Sequence, residues 1–251
     1  NIRACHTFLE YLLDKKDPRI IKLYEVTANA KKTLGYSSDE ELVAHMDECY
    51  EGLPCGDKPT TDETTEGGIA ISKSSRMKQA YDDAVYLMNE AECELMIAEA
   101  YARLGDAEKA EEYYNKGVLA GFSRWGFDGT AFVDGAYKFD KADMLHSIAM
   151  QYWVTYAGAN AYDGWMTRNR FGIPEVQANI TVRKSTTALQ RELSDGYVLG
   201  NLVDPGASNM NAGEYPMRLL YPTATTLYNS AAAKYVEENG NSLTKKLWWE
   251  K

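Results

Sequence analysis

Two helical patterns joined by one Gly-Asp break constrain this chain more than any other feature. Cys93, Ile97, Tyr101 and Leu104 fall on one helical stripe, with Ala98 and Ala100 beside it. Gly105-Asp106 interrupts the pattern. Ala107, Ala110, Tyr114, Gly117 and Val118 then share one face of a second helix. So short a break forces the two helices antiparallel. Small residues on facing sides let their backbones approach closely. The expectation is a helical hairpin over 86–120, with its first stripe inward.

Other segments read as helix too. Phe8, Leu9, Leu12 and Leu13 recur at helical spacing, and the run stops before Asp17-Pro18. Ser38 to Glu41 is a capping-box signature, which turns Leu42 and Met46 inward. Leu145, Ile148, Ala149, Tyr152, Trp153 and Tyr156 make the cleanest amphipathic pattern in the chain. The wording of the hairpin, Ala98 to Gly117, resembles one tetratricopeptide repeat. Three consecutive units, which a free-standing solenoid needs, are not found. From Gly158 to Tyr228 Gly, Asn, Pro and Thr thicken, with β-branched islands such as Ile180-Thr181-Val182. One small β-hairpin is expected there, then a short helix over Ala231–Glu238. The closing Leu247-Trp248-Trp249 is expected to pack back onto the body. The fold class is therefore mainly α: tetratricopeptide-like hairpins with a loop-rich, mostly irregular C-terminal part. The expected organisation is one domain over 1–251. It comprises helices in 1–50, a long loop in 51–85, the hairpin in 86–120, loop and helix in 121–157, and the loop-rich region 158–251.

Composition narrows the function. The chain has 27 basic and 37 acidic residues, a net charge of -10, which argues against a partner bound through its phosphates; nucleic acid is not expected. No apolar run reaches the roughly twenty residues of a membrane helix. The four cysteines, Cys5, Cys49, Cys55 and Cys93, lack a metal-ligand spacing, and free thiols are the preferred reading over a Cys49–Cys55 disulfide. His6, His45 and His146 lie in separate segments and suggest no metal. No nucleophile elbow, phosphate loop or dinucleotide fingerprint occurs. Paired acids for glycoside hydrolysis would have to come from Asp82, Asp83, Glu90, Glu92, Glu94, Glu99, Asp128, Asp134 or Asp163. Those from Glu90 to Glu99 read most simply as the solvated face of the hairpin, and no catalytic residue, metal or cofactor is assigned. Asn179-Ile180-Thr181 is a glycosylation sequon that matters only in a secretory context.

Four segments carry a further resemblance. They are Phe8 to Arg19, ending in Asp17-Pro18-Arg19; Tyr50 to Gly56 with the hairpin that follows; Tyr113 to Val118 with Trp125-Gly126, Tyr152-Trp153 and Trp165 to Pro174; and Pro216 to Pro222 with Leu243 to Trp249. Their order and spacing resemble the C-terminal half of SusD/RagB-like lipoproteins of Bacteroidetes. Ala224-Thr225 stand where the family pattern has an acid. The resemblance implies a non-catalytic, cell-surface glycan-binding protein of the outer membrane. Its partners would be a glycan and a SusC-like TonB-dependent transporter. An N-terminal lipid anchor, the first hairpins and part of the ligand face would lie outside this chain. The alternatives are a peptide- or protein-binding adaptor built on the hairpin and, behind it, a helical glycosidase.

Sugars are held by aromatic stacking, with polar groups on their hydroxyls. Tyr50 and Tyr81 flank the 51–80 excursion, with Asp57, Lys58 and Arg76 as polar partners. Trp125 and Phe127 form a second aromatic loop. These seven are the candidate ligand contacts. Trp153, Trp165, Trp248 and Trp249 are assigned to the core. Arg168 and Arg170 are expected to tie loops to backbone carbonyls.

Overall fold

A computed structural model describes residues 2–53, 74–80, 82–178, 196–203 and 210–249, together with the backbone of 182–183 and 192–193. Helix α1 (His6–Asp14) turns Phe8, Leu9, Tyr11 and Leu12 into the core. It ends where Lys16 adopts a positive φ of 51° and the Asp17 N–H donates back to the Leu12 carbonyl. Pro18 then opens the short α2 (Ile20–Leu23). The turn between them buries both Asp17 and Arg19. Arg19 Nε and Nη2 donate to the Asp17 carboxylate at 2.9 and 2.6 Å, and the Tyr137 hydroxyl donates to Asp17 Oδ2 at 2.6 Å. The guanidinium lies 4.0 Å from the centre of the Phe122 ring.

Three short helices follow: α3 (Ala28–Thr33), α4 (Asp39–Ala44) and α5 (Met46–Cys49). The capping box is present, with Ser38 Oγ accepting from the Glu41 N–H and the Glu41 carboxylate from the Ser38 N–H. Leu42 and Met46 are buried.

The hairpin is α6 (Glu90–Leu104) and α7 (Ala107–Ser123). Asn89 Oδ1 caps α6 and Asp106 Oδ1 caps α7. Gly105, at φ 81°, makes the left-handed turn between them. At Gly117 a Cβ would stand 2.9 Å from Leu95 Cγ and 3.3 Å from the Ala91 carbonyl, so close approach is the reason for glycine there. The face expected inward on α7 is the buried one. On α6 the expectation fails. The buried face carries Ala91, Glu92, Leu95, Ala98, Glu99 and Ala102, while Ile97 is 39% and Leu104 80% exposed. Small residues, not large ones, meet α7. Glu92 and Glu99 are therefore not solvated. Glu92 Oε1 accepts from the Tyr156 hydroxyl at 2.9 Å. Glu99 accepts from Arg103 Nε and Arg170 Nη2, both at 2.8 Å, and also from Arg170 Nη1.

A short α8 (Thr130–Val133) leads to α9 (Met144–Thr155), which lies across the hairpin. It buries Ile148, Ala149 and Tyr152 as its pattern predicts. Next is α10 (Ala161–Phe171). Strand β1 (Val176–Gln177) pairs in parallel with β4 (Leu202–Val203), and β2 (Val182–Arg183) in antiparallel with β3 (Glu192–Leu193). The C-terminal α11 (Thr223–Tyr228) and α12 (Ser230–Asn239) pack on each other and bury no residue fully. Trp248 is 94% exposed, which corrects its assignment to the core; Trp249 is half-buried. Cys5, Cys49 and Cys93 are free thiols, and Cys55 lies outside the described residues.

One further device positions the site. Residues 51–53 and 74–78 are pinned to the start of the chain by isolated bridges, Cys5 to Leu53 and Arg3 to Arg76. Another bridge, Tyr24 to Met77, lays the second of these segments along the end of α2. Gly52 permits this crossing, since a Cβ there would come within 2.5 Å of His6 Cα.

Candidate functional site

The bridged segment forms one wall of an open cleft of about 890 Å³. The end of α2 supplies Lys22, Leu23 and Glu25. The region of α3 and the turn after it add Lys31 and Tyr36. The third wall runs from Met77 to Tyr86, and the fourth is the end of α7, with Arg124 and Trp125 against Gly158.

Three aromatic rings stand in this cleft, all half-buried: Tyr36, Tyr86 and Trp125. Each is fixed by its neighbours. Tyr36 stacks on His45 with ring centres 4.3 Å apart and planes inclined by 14°. The Arg124 guanidinium lies 4.2 Å from the centre of Tyr86 and 4.7 Å from that of Trp125. The same guanidinium donates to the carbonyls of Thr155 at 3.3 Å and Gly158 at 2.8 Å, so the end of α9 holds it. Half-buried rings in a rigid mount can stack on a flat ligand without losing much side-chain entropy on binding.

Polar groups surround the rings. Lys22 Nζ meets Asp39 Oδ2 at 2.5 Å. Lys78 Nζ donates to the Ile21 carbonyl at 2.6 Å. Burial holds the Lys78 ammonium below its usual pKa, and the charge of Lys22 adds to the effect. Asp83 Oδ2 accepts from the Ala80 N–H at 2.7 Å, which shapes the turn after the bridged segment.

The residues expected from sequence to touch ligand are dispersed. Trp125 is in the cleft wall. Phe127 is half-buried, its ring centre 5.9 Å from Lys22 Nζ. Arg76 is exposed and one residue short of the cleft wall, opposite Arg3. Tyr50 is only 2% exposed and belongs to the core, so it offers no face to a sugar. Burial pushes its phenol well above the usual range. Asp57, Lys58 and Tyr81 lie outside the described residues. Sequence reasoning missed Tyr36, Tyr86, Lys78 and Arg124. The Arg124-Trp125 dipeptide was the available signal, because Arg beside Trp in a loop is a common stacking pair.

Arg168 and Arg170 divide. Arg168 Nε donates to the Pro174 carbonyl at 3.0 Å, as expected. Arg170 instead pairs with Glu99, as described above.

Residues 1–193 match the model of a family described as SusD-like, starch-binding and associating with the outer membrane. Two crystal structures of SusD homologs from Bacteroides fragilis share the fold. One is 18% identical with a TM-score of 0.57, covering 98% of this chain and 51% of that one. The other is 16% identical with a TM-score of 0.61, covering 98% of this chain and 52% of that one. The chain thus spans about half the length of the solved structures it matches. No curated protein matches it significantly.

Proposed function

The chain belongs to the SusD-like family, and on that premise we propose that it binds glycan without cleaving it, as part of an outer-membrane nutrient-uptake system. The observation that carries this reading is the set of three mounted, half-exposed rings, Tyr36, Tyr86 and Trp125, in one open cleft with ammonium, guanidinium and carboxylate groups between them. Sugar rings present C–H faces that stack on such platforms, and their hydroxyls bond to such groups. Of the seven expected contacts, Trp125 stays central, with Phe127 and Arg76 at the margin. Residues Asp57, Lys58 and Tyr81 stay in the proposal as neighbours in sequence of the cleft wall. Delivery to a SusC-like TonB-dependent transporter and exposure at the cell surface follow from the family premise and complete the proposal.

The test is affinity gel electrophoresis with polysaccharides cast into the gel, and a reducing-sugar assay on the same mixtures. Retardation without released sugar is expected, and Trp125→Ala should abolish most of it. Release of reducing sugar would overturn the non-catalytic reading. Unchanged retardation in both Trp125→Ala and Tyr86→Ala would remove the site from this cleft.

A further inference from the structure

The cleft is positive in a negative protein. Four cations line it, Lys22, Lys31, Lys78 and Arg124, against two carboxylates, Glu25 and Asp83. That is a local excess of two positive charges, whereas the chain carries -10. Lys22 is answered by Asp39 at the margin. Among the described residues no carboxylate pairs with Lys31, Lys78 or Arg124. Most other basic side chains near the body do find an acid: Arg19 has Asp17, Arg103 and Arg170 share Glu99, Lys116 has Glu112, and Lys141 has both Glu108 and Glu111. The exception in the cleft is therefore local and is not a general surplus of base.

Geometry decides what these cations can reach. Arg124 is flanked by two rings and bonded to two carbonyls, with its Nε buried and unpartnered. It supplies field and holds the platform. Lys31 is exposed, and Lys78 spends one of its three N–H bonds on the Ile21 carbonyl. Lys22 and Lys31 both depress the Lys78 pKa, so the ammonium groups repel one another across the cleft. An anion placed between them would relieve that repulsion. A neutral sugar would leave it in place.

We propose that the glycan taken by this cleft is anionic, a polymer whose sugars carry carboxylate or sulfate groups that sit between Lys31 and Lys78 while a ring face stacks on Trp125 or Tyr86. This rests on the glycan-binding reading above. Polyanions as such are disfavoured by the net charge of -10, so the charge must arrive on a chain that also stacks.

The probes are polygalacturonate for carboxylate, chondroitin sulfate for sulfate, amylose for a neutral glycan, and polyglutamate for charge without sugar. Dissociation constants are measured for the full chain at about 50 and 500 mM NaCl, ionic strengths that straddle strong and weak screening. Expected is a roughly tenfold tighter constant for one anionic glycan than for amylose, the size that two exposed ion pairs supply. That preference should collapse at high salt. Lys31→Met and Lys78→Met should each reduce the anionic-to-neutral ratio about threefold, and Lys246→Met should not change it. Lys31 is exposed, so its variant carries no folding risk. Which of the two polymers binds assigns the anion.

Amylose bound as tightly as either anionic glycan overturns the proposal and leaves the glycan reading intact. Polyglutamate bound as tightly as polygalacturonate overturns it too, because charge without stacking then suffices. If none of the three polysaccharides binds, the proposal and the reading beneath it fall together.

Discussion

Removing one partner of the Asp17–Arg19 pair should destabilise the protein far more than removing both. The two side chains are 0% and 2% exposed, so neither charge is relieved by water. Arg19 makes three side-chain hydrogen-bond contacts to the Asp17 carboxylate and places its guanidinium face against Phe122. Asp17→Asn leaves a guanidinium buried without a counter-charge, and guanidinium does not deprotonate. Arg19→Met leaves the carboxylate with the Tyr137 hydroxyl and the Arg19 backbone N–H only. Each single change should cost about 3–5 kcal/mol, the usual penalty for an orphaned buried charge. Against a total stability of roughly 5–15 kcal/mol that is a large fraction. The double variant buries no charge, and methionine still covers Phe122. It should be at least about 2 kcal/mol more stable than the sum of the singles implies. Urea unfolding followed by far-UV circular dichroism, with slopes compared across all four proteins, reads this directly. Additive costs, or singles below about 1 kcal/mol, would refute the claim that the pair is held by mutual compensation.

Other perturbations follow from the same packing. Burial raises the Glu10 carboxyl from its ordinary 4.5 to about 7. The folded protein then keeps a proton that the unfolded chain releases, so this group costs stability progressively as pH rises from 4.5 to 7. Glu10→Gln should therefore stabilise by about 2 kcal/mol at pH 8, a figure reduced because the side chain still sees solvent. It should change little at pH 4.5; equal gains at both pH values in thermal melts would count against it. Glu99 shows the opposite sign: burial opposes its charge, but hydrogen bonds from Arg170 and Arg103 prevail and hold its pKa below the usual value. That contribution is present above the unfolded pKa and is lost as pH falls through the folded one. Arg170→Met should cost about 2–3 kcal/mol at pH 7. Its deficit should narrow in acid, and a deficit constant from pH 7 to pH 3 would contradict this. Gly117→Ala should gain the helix propensity of alanine yet lose more to Leu95 and the Ala91 carbonyl, for a net loss of about 1 kcal/mol. A higher melting temperature for this variant would show that α6 and α7 have room to separate.

The helices were legible in the sequence because their signals are local. A capping box spans four residues, and the Gly105-Asp106 break spans two. The α9 stripe is complete within its own twelve residues. Which face of α6 points inward was not legible, because apolar periodicity ranks Ile97 and Leu104 above Ala98 and Ala102. The decision lies in α7, where Gly117 admits only small neighbours. Glu92 and Glu99 looked solvated for the same reason. Their partners, Tyr156 and Arg170, are 64 and 71 positions away, and a period within one helix carries no trace of them. Tyr50 shows the converse: a tyrosine beside a loop reads as exposed until the fold wraps α5 into the core.

The cleft is harder still to read, and the reason bears on its function. It joins residues near positions 22, 36, 78 and 124, brought together by backbone bridges at Met77 and Arg76 and by carbonyls at Thr155 and Gly158. Backbone contacts place the walls but do not specify most of the side chains that line them. Lys31 is exposed, and Lys78 uses one hydrogen bond to a carbonyl. Replacing either leaves the hairpin, the bridges and the buried Asp17–Arg19 pair as they are. The helical scaffold can thus be shared with SusD homologs at 16% and 18% identity while the charge of the cleft changes freely. A ligand class should accordingly be argued from the side chains of this chain, where mounted rings favour a glycan and unpaired ammonium groups favour an anionic one.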